Sequence, residues 1–203
     1  MEYSVPMKRS IILLVLLALA GTATLGAQTT TPSTSLDYDP IRKGDQFIHV
    51  DLGLSVPLFY LTPDGITSDT NLDLGGAGRI GYSRFITSRM SLGGFFGFSF
   101  NQTLGENTYL ALPMAIRASY EFVFNRIHVP VSFSAGGMYQ TYRTRNYFGF
   151  MLKPEIGGYY RYSPDWSFGA NLSWDFVPQW YDTSSDNRVG NFFDVMVGLR
   201  YHF

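Results

Sequence analysis

The sequence predicts an all-β fold, an eight-stranded antiparallel transmembrane β-barrel, and three observations support this prediction. Apolar and polar residues alternate with a period of two in eight successive segments between Gln46 and Phe203. Aromatic residues make up 17% of the chain and charged residues only 15%, against roughly 25% charged residues in soluble domains. After residue 25, no run of about 18 residues is free of polar side chains, so a membrane span must be a β-strand.

The N-terminal segment has the order of a secretory signal peptide, which we assign to residues 1–27. A short basic region precedes an unbroken apolar run from Ile11 to Ala20, and small residues follow up to Ala27. A membrane anchor helix is the alternative, but this run is shorter than the roughly 20 residues that a helical span needs. We expect cleavage after Ala27 of a precursor that begins at Met1 or at Met7.

The remaining chain divides into a linker and a barrel. Residues 28–45 are rich in Thr, Ser and Pro and have no apolar period, which predicts a periplasmic linker. Residues 46–203 contain the alternating segments. The predicted strands lie at about residues 46–56, 74–85, 90–101, 110–122, 131–142, 148–161, 166–176 and 193–203.

A soluble β-sandwich or lipocalin would also alternate, but its outward face should carry many charges. Here the face opposite the bulky apolar residues is mostly Gly, Ser, Ala and Asn. Small residues suit the narrow lumen of an eight-stranded barrel, while large apolar residues can face lipid. The chain is too short for a wide porin of about 16 strands.

Aromatic residues are predicted to form two girdles at the strand ends, as in outer-membrane barrels. One girdle comprises Tyr60, Tyr109, Tyr139, Trp174, Phe176 and Trp180. The other comprises Tyr82, Phe122, Phe124, Tyr160, Tyr162, Trp166, Tyr201 and Phe203. Connections near Thr87, Asn125 and Pro164 are short, whereas 62–73, 101–107, 143–146 and 178–190 are mostly longer. Short turns face the periplasm in such barrels, so we expect both chain ends in the periplasm of a diderm bacterium.

The lumen is predicted to hold ten charged residues, five of each sign, in a network that pairs across strands. Unpaired charges in a narrow, poorly hydrated interior are costly, which is why we expect pairing. Each residue taken alone is more simply explained as part of a structural polar core. The ten are Asp51, Arg79, Arg117, Glu121, Lys153, Glu155, Arg161, Asp175, Asp194 and Arg200.

Nearer the long loops, lumen positions become apolar and predict a hydrophobic constriction or pocket for a small apolar molecule. Ordinary packing of the upper barrel explains these residues equally well. They are Phe95, Met138, Met151, Phe192 and Met196.

Three stretches in the second half of the barrel resemble the central and late hairpins of OmpW-type outer-membrane proteins. They are Leu112 to Phe122 (LPMAIRASYEF), Pro130 to Tyr139 with its Ala-Gly-Gly, and Gly157 to Trp174 with its Asp-Trp pair. The resemblance covers strands four to eight through short motifs. It implies an eight-stranded barrel with a hydrophobic lumen opening, passage of small hydrophobic molecules, and surface recognition.

Several classes of function are excluded by composition and motif. A mature net charge of −2, without a basic stretch, argues against a nucleic-acid partner, and the absence of cysteine excludes a lipoprotein. Lipid hydrolysis needs a nucleophile and a base within reach of lipid. The pattern places His128 in a periplasmic turn and His49 and His202 in the periplasmic half of the lumen, with no convincing serine beside an outward-facing histidine. We therefore expect no enzyme, no metal site and no cofactor.

Two functions remain. The first is a narrow channel or binding site for small hydrophobic solutes in the outer-membrane lipid. The second is an adhesin-like role in which the loops, chiefly Thr62 to Asp73 and Pro178 to Gly190, contact host molecules while the barrel is an anchor. The terminal strand ends in Tyr201 and Phe203, which resembles the signal read by the barrel assembly machinery.

Overall fold

A computed structural model describes residues 40–103, 105, 107–143, 145–180 and 187–203. The predicted signal peptide (1–27) and most of the predicted linker (28–39) lie outside the described residues. Within the described ranges, no helix is long and apolar enough to cross a bilayer.

The described chain forms eight long strands, in the order that the alternating segments predict. Most strands extend beyond the predicted limits, because both neighbours in a barrel supply backbone partners. The strands are β1 Gln46–Leu61, β2 Gly75–Phe85, β3 Met90–Gln102, β4 Thr108–Phe124, β5 Ile127–Tyr142, β6 Arg145–Arg161, β7 Trp166–Gln179 and β8 Arg188–His202.

The sheet is antiparallel throughout and closes on itself. Each long strand pairs with the next along the chain, and β1 pairs with both β2 and β8. A two-residue strand, Thr67–Ser68, folds back onto Tyr60 and Leu61. The all-β, eight-stranded antiparallel barrel predicted from the sequence is therefore confirmed.

The connections differ between the two ends of the barrel. At one end, here called the short-turn end, 86–89, 125–126 and 162–165 join the strands, and Asn125 adopts a positive φ of 57° in its two-residue turn. At the other, the long-loop end, 62–74 is the longest connection that is described throughout. The predicted loop at 143–146 is shorter than expected, because β5 and β6 extend to Tyr142 and Arg145.

The outer surface of the barrel is apolar, and polar residues face inward. Exposed Ile, Val, Leu and Phe side chains alternate along every strand with buried Ser, Asn and charged side chains. All eight aromatic residues assigned to the girdle at the short-turn end are exposed, as are Trp174, Phe176 and Trp180 near the other end. An apolar belt between aromatic rims is typical of membrane-spanning barrels.

Two aromatic residues assigned to the girdle at the long-loop end lie inside the barrel instead. Tyr60 and Tyr109 are both buried. The register of β1 shifts between Pro57 and Phe59, and such a β-bulge moves later side chains to the opposite face. Tyr109 is an even number of residues from Ala111 and Arg117, so the alternation along β4 puts all three on the inward face.

The end of the predicted linker packs against the barrel. Ile41 is buried in a small cluster with Phe47 and Phe85 at the short-turn end. The Gly44 amide donates to the Phe85 carbonyl at 2.8 Å. Residues 41–44 therefore belong to the folded unit, although the sequence assigned them to a linker.

Candidate functional site

The lumen contains the ten charged residues expected there, and all ten are between 0 and 7% exposed. Every one occupies an inward position of a strand, next to small residues that leave space for long side chains. The contacts divide nine of these residues into three groups, which together we call the ion network.

The central group joins four strands through two carboxylates. Arg79 on β2 donates through Nε to Asp51 Oδ2 at 2.6 Å and also pairs with Glu155 on β6. Glu155 in turn accepts from Arg117 on β4. Because each guanidinium has a carboxylate partner, these four charges offset one another in a dry interior.

The second group lies nearer the short-turn end. Arg200 on β8 donates to Glu121 Oε1 at 2.5 Å, and Glu121 Oε2 lies 3.0 Å from His128 Nδ1. The guanidinium of Arg200 is also stacked between two rings, 3.6 Å from the centre of Tyr159 and 4.9 Å from that of Phe47. Arg200 therefore connects the ion network to the aromatic cluster that fills this end of the barrel.

The third group lies closer to the long-loop end. Lys153 on β6 places its ammonium 2.7 Å from Asp175 Oδ1 and 2.6 Å from Asp194 Oδ2. One ammonium thus links three neighbouring strands.

Arg161 lies apart from these groups. Its Nη2 donates to the carbonyl of Pro164 at 2.7 Å, and within the described part of the chain it makes no ion pair. Arg161 lies at the end of β6, where the carbonyl of the adjacent turn is within its reach. This position explains why Arg161 bonds to the turn and not to a lumen carboxylate.

Three side chains that the sequence analysis did not assign to this network complete it. Asp51 Oδ1 accepts from Asn171 Nδ2 at 2.9 Å and from Tyr159 Oη at 3.2 Å. His49 Nε2 lies 3.4 Å from Arg117 Nη1. Asn171, Tyr159 and His49 all occupy inward positions in the alternating pattern of their strands, and this pattern would have identified them from the sequence.

A layer of buried apolar residues follows on the long-loop side, and we call it the apolar layer. It contains four of the five predicted constriction residues, together with three that the sequence reasoning missed. On β6, Met151 is nearer the long-loop end than Lys153, and on β7 Val177 is nearer than Asp175. The members are Phe95, Tyr109, Ala111, Met138, Met151, Val177 and Phe192.

The fifth predicted constriction residue, Met196, is buried but lies outside the apolar layer. Its partners across the sheet are Gly53 and Asn171, which places it at the level of the ion network. The apolar side chain of Met196 therefore did not predict its height along the barrel axis.

Above the apolar layer, a polar layer begins at the long-loop end. Tyr109 stacks on Phe192, with ring centres 5.9 Å apart, and its hydroxyl donates to Gln140 at 2.8 Å. Gln179 Nε2 donates to the same Gln140 oxygen at 2.6 Å, and Arg188 donates to Gln179 at 2.6 Å. The lumen thus changes from ionic to apolar to polar along its axis.

The described lumen is closed to water at the apolar layer. Met151 and Val177 are 0% exposed and Met138 is 2% exposed, so their side chains are shielded from water. A molecule entering the apolar layer must displace side chains. Methionine side chains are unbranched and flexible, which suits such displacement.

The wall beside the apolar layer contains an interruption between β6 and β7, which we call the seam. Pairing runs from Arg161↔Ser167 to Glu155↔Ser173, skips Pro154 and Lys153, and, among described residues, ends at Leu152↔Phe176. In the same register Met151 would pair with Val177 and Phe150 with Pro178, but these pairs are absent. Pro178 has no N–H and cannot donate a ladder bond.

A side chain joins the two strands at the seam where backbone pairs are missing. Tyr147 on β6 accepts a hydrogen bond from the Trp180 amide at 2.8 Å. Its ring lies over Gly149, where a Cβ atom would come within 2.4 Å of it. Met151 and Val177 belong to the apolar layer, so the seam adjoins that layer directly.

His49 and His202 lie in the lumen, as the alternation predicts. The prediction that His128 falls in a turn is wrong, because β5 begins at Ile127 and its second residue, His128, is buried beside Glu121. His202 Nε2 is 2.9 Å from Ser167 Oγ, a contact that the sequence reasoning did not anticipate. Both residues are buried at the short-turn end and face away from lipid.

Comparison with known proteins identifies relatives in one bacterium. A protein-family model matches residues 27–201. An uncharacterised protein of Treponema pallidum (strain Nichols) is 30% identical over 183 residues, covering 85% of this chain and 84% of that protein. A second uncharacterised protein of the same strain is 30% identical over 138 residues, covering 61% of this chain and 47% of that protein.

Solved structures share the fold at low sequence identity. Neisserial surface protein A matches with a TM-score of 0.60 and 11% identity, over 79% of this chain and 100% of that chain. The outer membrane protein OprG from Pseudomonas aeruginosa matches with a TM-score of 0.52 and 12% identity, over 82% of this chain and 99% of that chain. The chain therefore has the fold of small outer-membrane β-barrels.

Proposed function

This chain belongs to the family of the Treponema pallidum protein that it matches over 84% of that protein's length, and we propose that it is a bacterial outer-membrane barrel that binds small apolar molecules. The apolar layer is the proposed binding site. The apolar outer belt and the fold support the location. The resemblance of β4–β8 to OmpW-type proteins supports the class of solute.

The proposed orientation has the short-turn end in the periplasm and the long loops outside. Short turns at the periplasmic end are the rule in such barrels. With an even number of strands, β1 begins and β8 ends at that same end. Residues before Gln46 then lie in the periplasm, as does Phe203.

One observation carries the functional proposal: the apolar layer adjoins the seam and lies above the ion network. A solute entering from the long-loop end meets charges directly below the layer, so an axial route through the barrel is unfavourable for an apolar molecule. The seam offers a shorter route toward the surrounding lipid. We therefore propose that solutes enter the apolar layer and leave sideways between β6 and β7.

The test is binding of naphthalene, a small apolar probe, to refolded protein in lipid nanodiscs. Met151→Gln keeps the length of the side chain and adds a polar group to the apolar layer, so we expect naphthalene affinity to fall several-fold. Met196→Gln is the matched control, because Met196 is an equally buried methionine outside the layer. Equal affinity for all three proteins would contradict the proposed site.

A second candidate function is recognition of other molecules by the long-loop end. Ile66, which is 64% exposed, and Trp180, which is 61% exposed, present large apolar side chains there. The carbonyl of Ile66 accepts hydrogen bonds from the Thr62 amide and hydroxyl, both at 3.0 Å, which holds the loop in a turn. Adhesion of reconstituted vesicles to host matrix proteins, lost on Ile66→Ser, would favour this function.

Catalysis forms no part of the proposal. Ser167 and His202 are within hydrogen-bond distance of each other, and both are enclosed by the barrel wall. A lipid ester outside the barrel does not reach them. Incubating the refolded protein with phospholipid and measuring released fatty acid tests this view.

A further inference from the structure

Exposed cations are concentrated at the short-turn end of the barrel. In the described part of that end there are five cations but only two carboxylates outside the lumen, those of Asp45 and Asp165. The Asp45 carboxylate also accepts the Arg42 amide at 2.8 Å, so it is engaged by its own turn. The exposed cations are Arg42, Lys43, Arg84 and Arg89, and the half-buried Arg126 is the fifth.

Arg84 occupies an unusual position on this surface. Among strand residues whose side chains are described, it is the one charged residue that points outward, and it follows Ile80 and Tyr82 on the lipid-facing side of β2. Its partners across the sheet are Gln46 on β1 and Leu92 on β3. An arginine at this edge can reach the headgroup region while its stem contacts apolar residues.

Lys43 precedes β1 and Arg89 lies in the turn after β2, so both are at the same end of the barrel as Arg84 and extend the positive surface. The bond from the Gly44 amide to the Phe85 carbonyl holds Lys43 beside the end of β2, and Arg84 Nη2 is 4.0 Å from the position of a Cβ on Gly44. Arg89 follows in the next turn and donates to Tyr120 Oη at 3.4 Å. Within the described residues, Lys43 and Arg84 have no carboxylate partner.

The rest of the same rim is aromatic rather than basic. Tyr160, Tyr162 and Trp166 line it near β6 and β7, and Tyr201 and Phe203 continue it on β8. Apart from Arg126 in the turn between β4 and β5, the positive charge therefore lies on one side, near β1–β3, and does not form a uniform ring. We call Lys43, Arg84 and Arg89 the basic patch.

We propose that the basic patch binds the phosphate of an anionic phospholipid whose acyl chains lie against Ile80 and Leu92. Guanidinium groups pair with phosphate oxygens, and basic residues at a membrane surface attract anionic lipids. The hydroxyls of Tyr82 and Tyr120 lie at the same edge, where tyrosine side chains contact headgroups. Placing this lipid in the periplasmic leaflet rests on the proposed orientation, whereas the binding itself does not.

The test compares phosphatidylglycerol with phosphatidylcholine bound to the refolded full barrel, counted by native mass spectrometry. We expect wild-type protein to retain phosphatidylglycerol preferentially. One cation near a membrane surface changes affinity by roughly 5-fold, so Arg84→Gln should lower phosphatidylglycerol retention by about that factor. Lys43→Gln combined with Arg84→Gln and Arg89→Gln should lower it further.

Arg143→Gln is the matched control, because Arg143 is an exposed arginine at the long-loop end. Equal retention by Arg84→Gln and wild type, or an equal loss in Arg143→Gln, would overturn the proposal. Displacement of phosphatidylglycerol by low concentrations of inorganic phosphate would also overturn it, since the site would then take free phosphate. Naphthalene binding by the same samples reports on the apolar layer separately, so the two proposals fail independently.

Discussion

The backbone amide of Phe203 donates to the carbonyl of Gln46, and the amide of Gln46 donates to the carbonyl of Phe203, both at 3.0 Å. This reciprocal pair follows Phe47↔His202 and forms the outermost rung between β1 and β8. Phe203 therefore takes part in closing the barrel. Its ring is 54% exposed and stacks on Tyr201, with ring centres 6.0 Å apart.

Two variants, deletion of Phe203 and Phe203→Ala, should separate the contribution of its backbone hydrogen bonds from that of its ring. Deletion removes the closing rung, whereas Phe203→Ala keeps the backbone bonds and removes the ring. We expect deletion alone to slow refolding into detergent micelles, and both variants to impair insertion in cells, measured by heat-modifiable gel mobility. Normal surface assembly of Phe203→Ala would contradict a role for the ring as an assembly signal.

Gly53 is required where β1 approaches β8. A Cβ on Gly53 would lie 2.0 Å from the Val195 carbonyl oxygen, a backbone atom that cannot move without opening the closing pair of strands. Gly53→Ala should therefore destabilise the barrel by about 1–3 kcal/mol, measured by urea unfolding in micelles. Gly158→Ala is the control, because no atom lies within 4 Å of its Cβ position. Similar stability of both variants would show that β8 adapts without cost.

Glu155 is the carboxylate shared by two arginines in the ion network. Glu155→Gln keeps the shape of the side chain but leaves Arg79 and Arg117 without their common anion in a buried site. Breaking a buried ion pair on one side costs about 3–5 kcal/mol, so we expect a lower urea midpoint or a loss of folded protein. Asp64→Asn in the exposed loop should leave the midpoint unchanged, and equal midpoints for both would count against a structural network.

The alternation of residues was enough to predict the strands, their order and the inward position of all ten lumen charges. These features follow from local sequence, since a strand has a period of two and each barrel strand needs one lipid-facing side. Tyr60 shows the limit of this reasoning. One β-bulge near Pro57 reverses the faces that follow it, and the sequence pattern does not show where the extra residue is inserted.

The levels of residues along the barrel axis were harder to predict than their faces. Met196 and Phe192 are both apolar and inward, yet only Phe192 contacts the apolar layer. The difference depends on strand tilt and on register with neighbours distant in sequence, which a single strand does not encode. For the same reason the seam was not predicted, although Pro178 lies in it and Pro154 interrupts the pairing of the same two strands.

Phe95 and Phe192 are expected to close the lumen at the apolar layer. Replacing both with serine removes two rings from the layer and adds hydroxyls that admit water. We expect higher leak conductance in planar bilayers and altered uptake of naphthalene into liposomes. Phe133→Ser and Phe168→Ser change two lipid-facing rings as a matched control. Unchanged conductance and unchanged uptake would contradict the closure that we assign to these residues.

Tyr147 should control the seam through its contact with the Trp180 amide. Tyr147→Phe keeps the ring over Gly149 and removes the oxygen that accepts this hydrogen bond at 2.8 Å. We expect faster entry of naphthalene into liposomes with unchanged thermal stability, because β5 and β8 still pair with β6 and β7. Tyr160→Phe, on the lipid-facing side of the same strand, is the control. Faster entry in both variants would indicate a general loosening of β6, and unchanged entry in Tyr147→Phe would exclude the seam as the route.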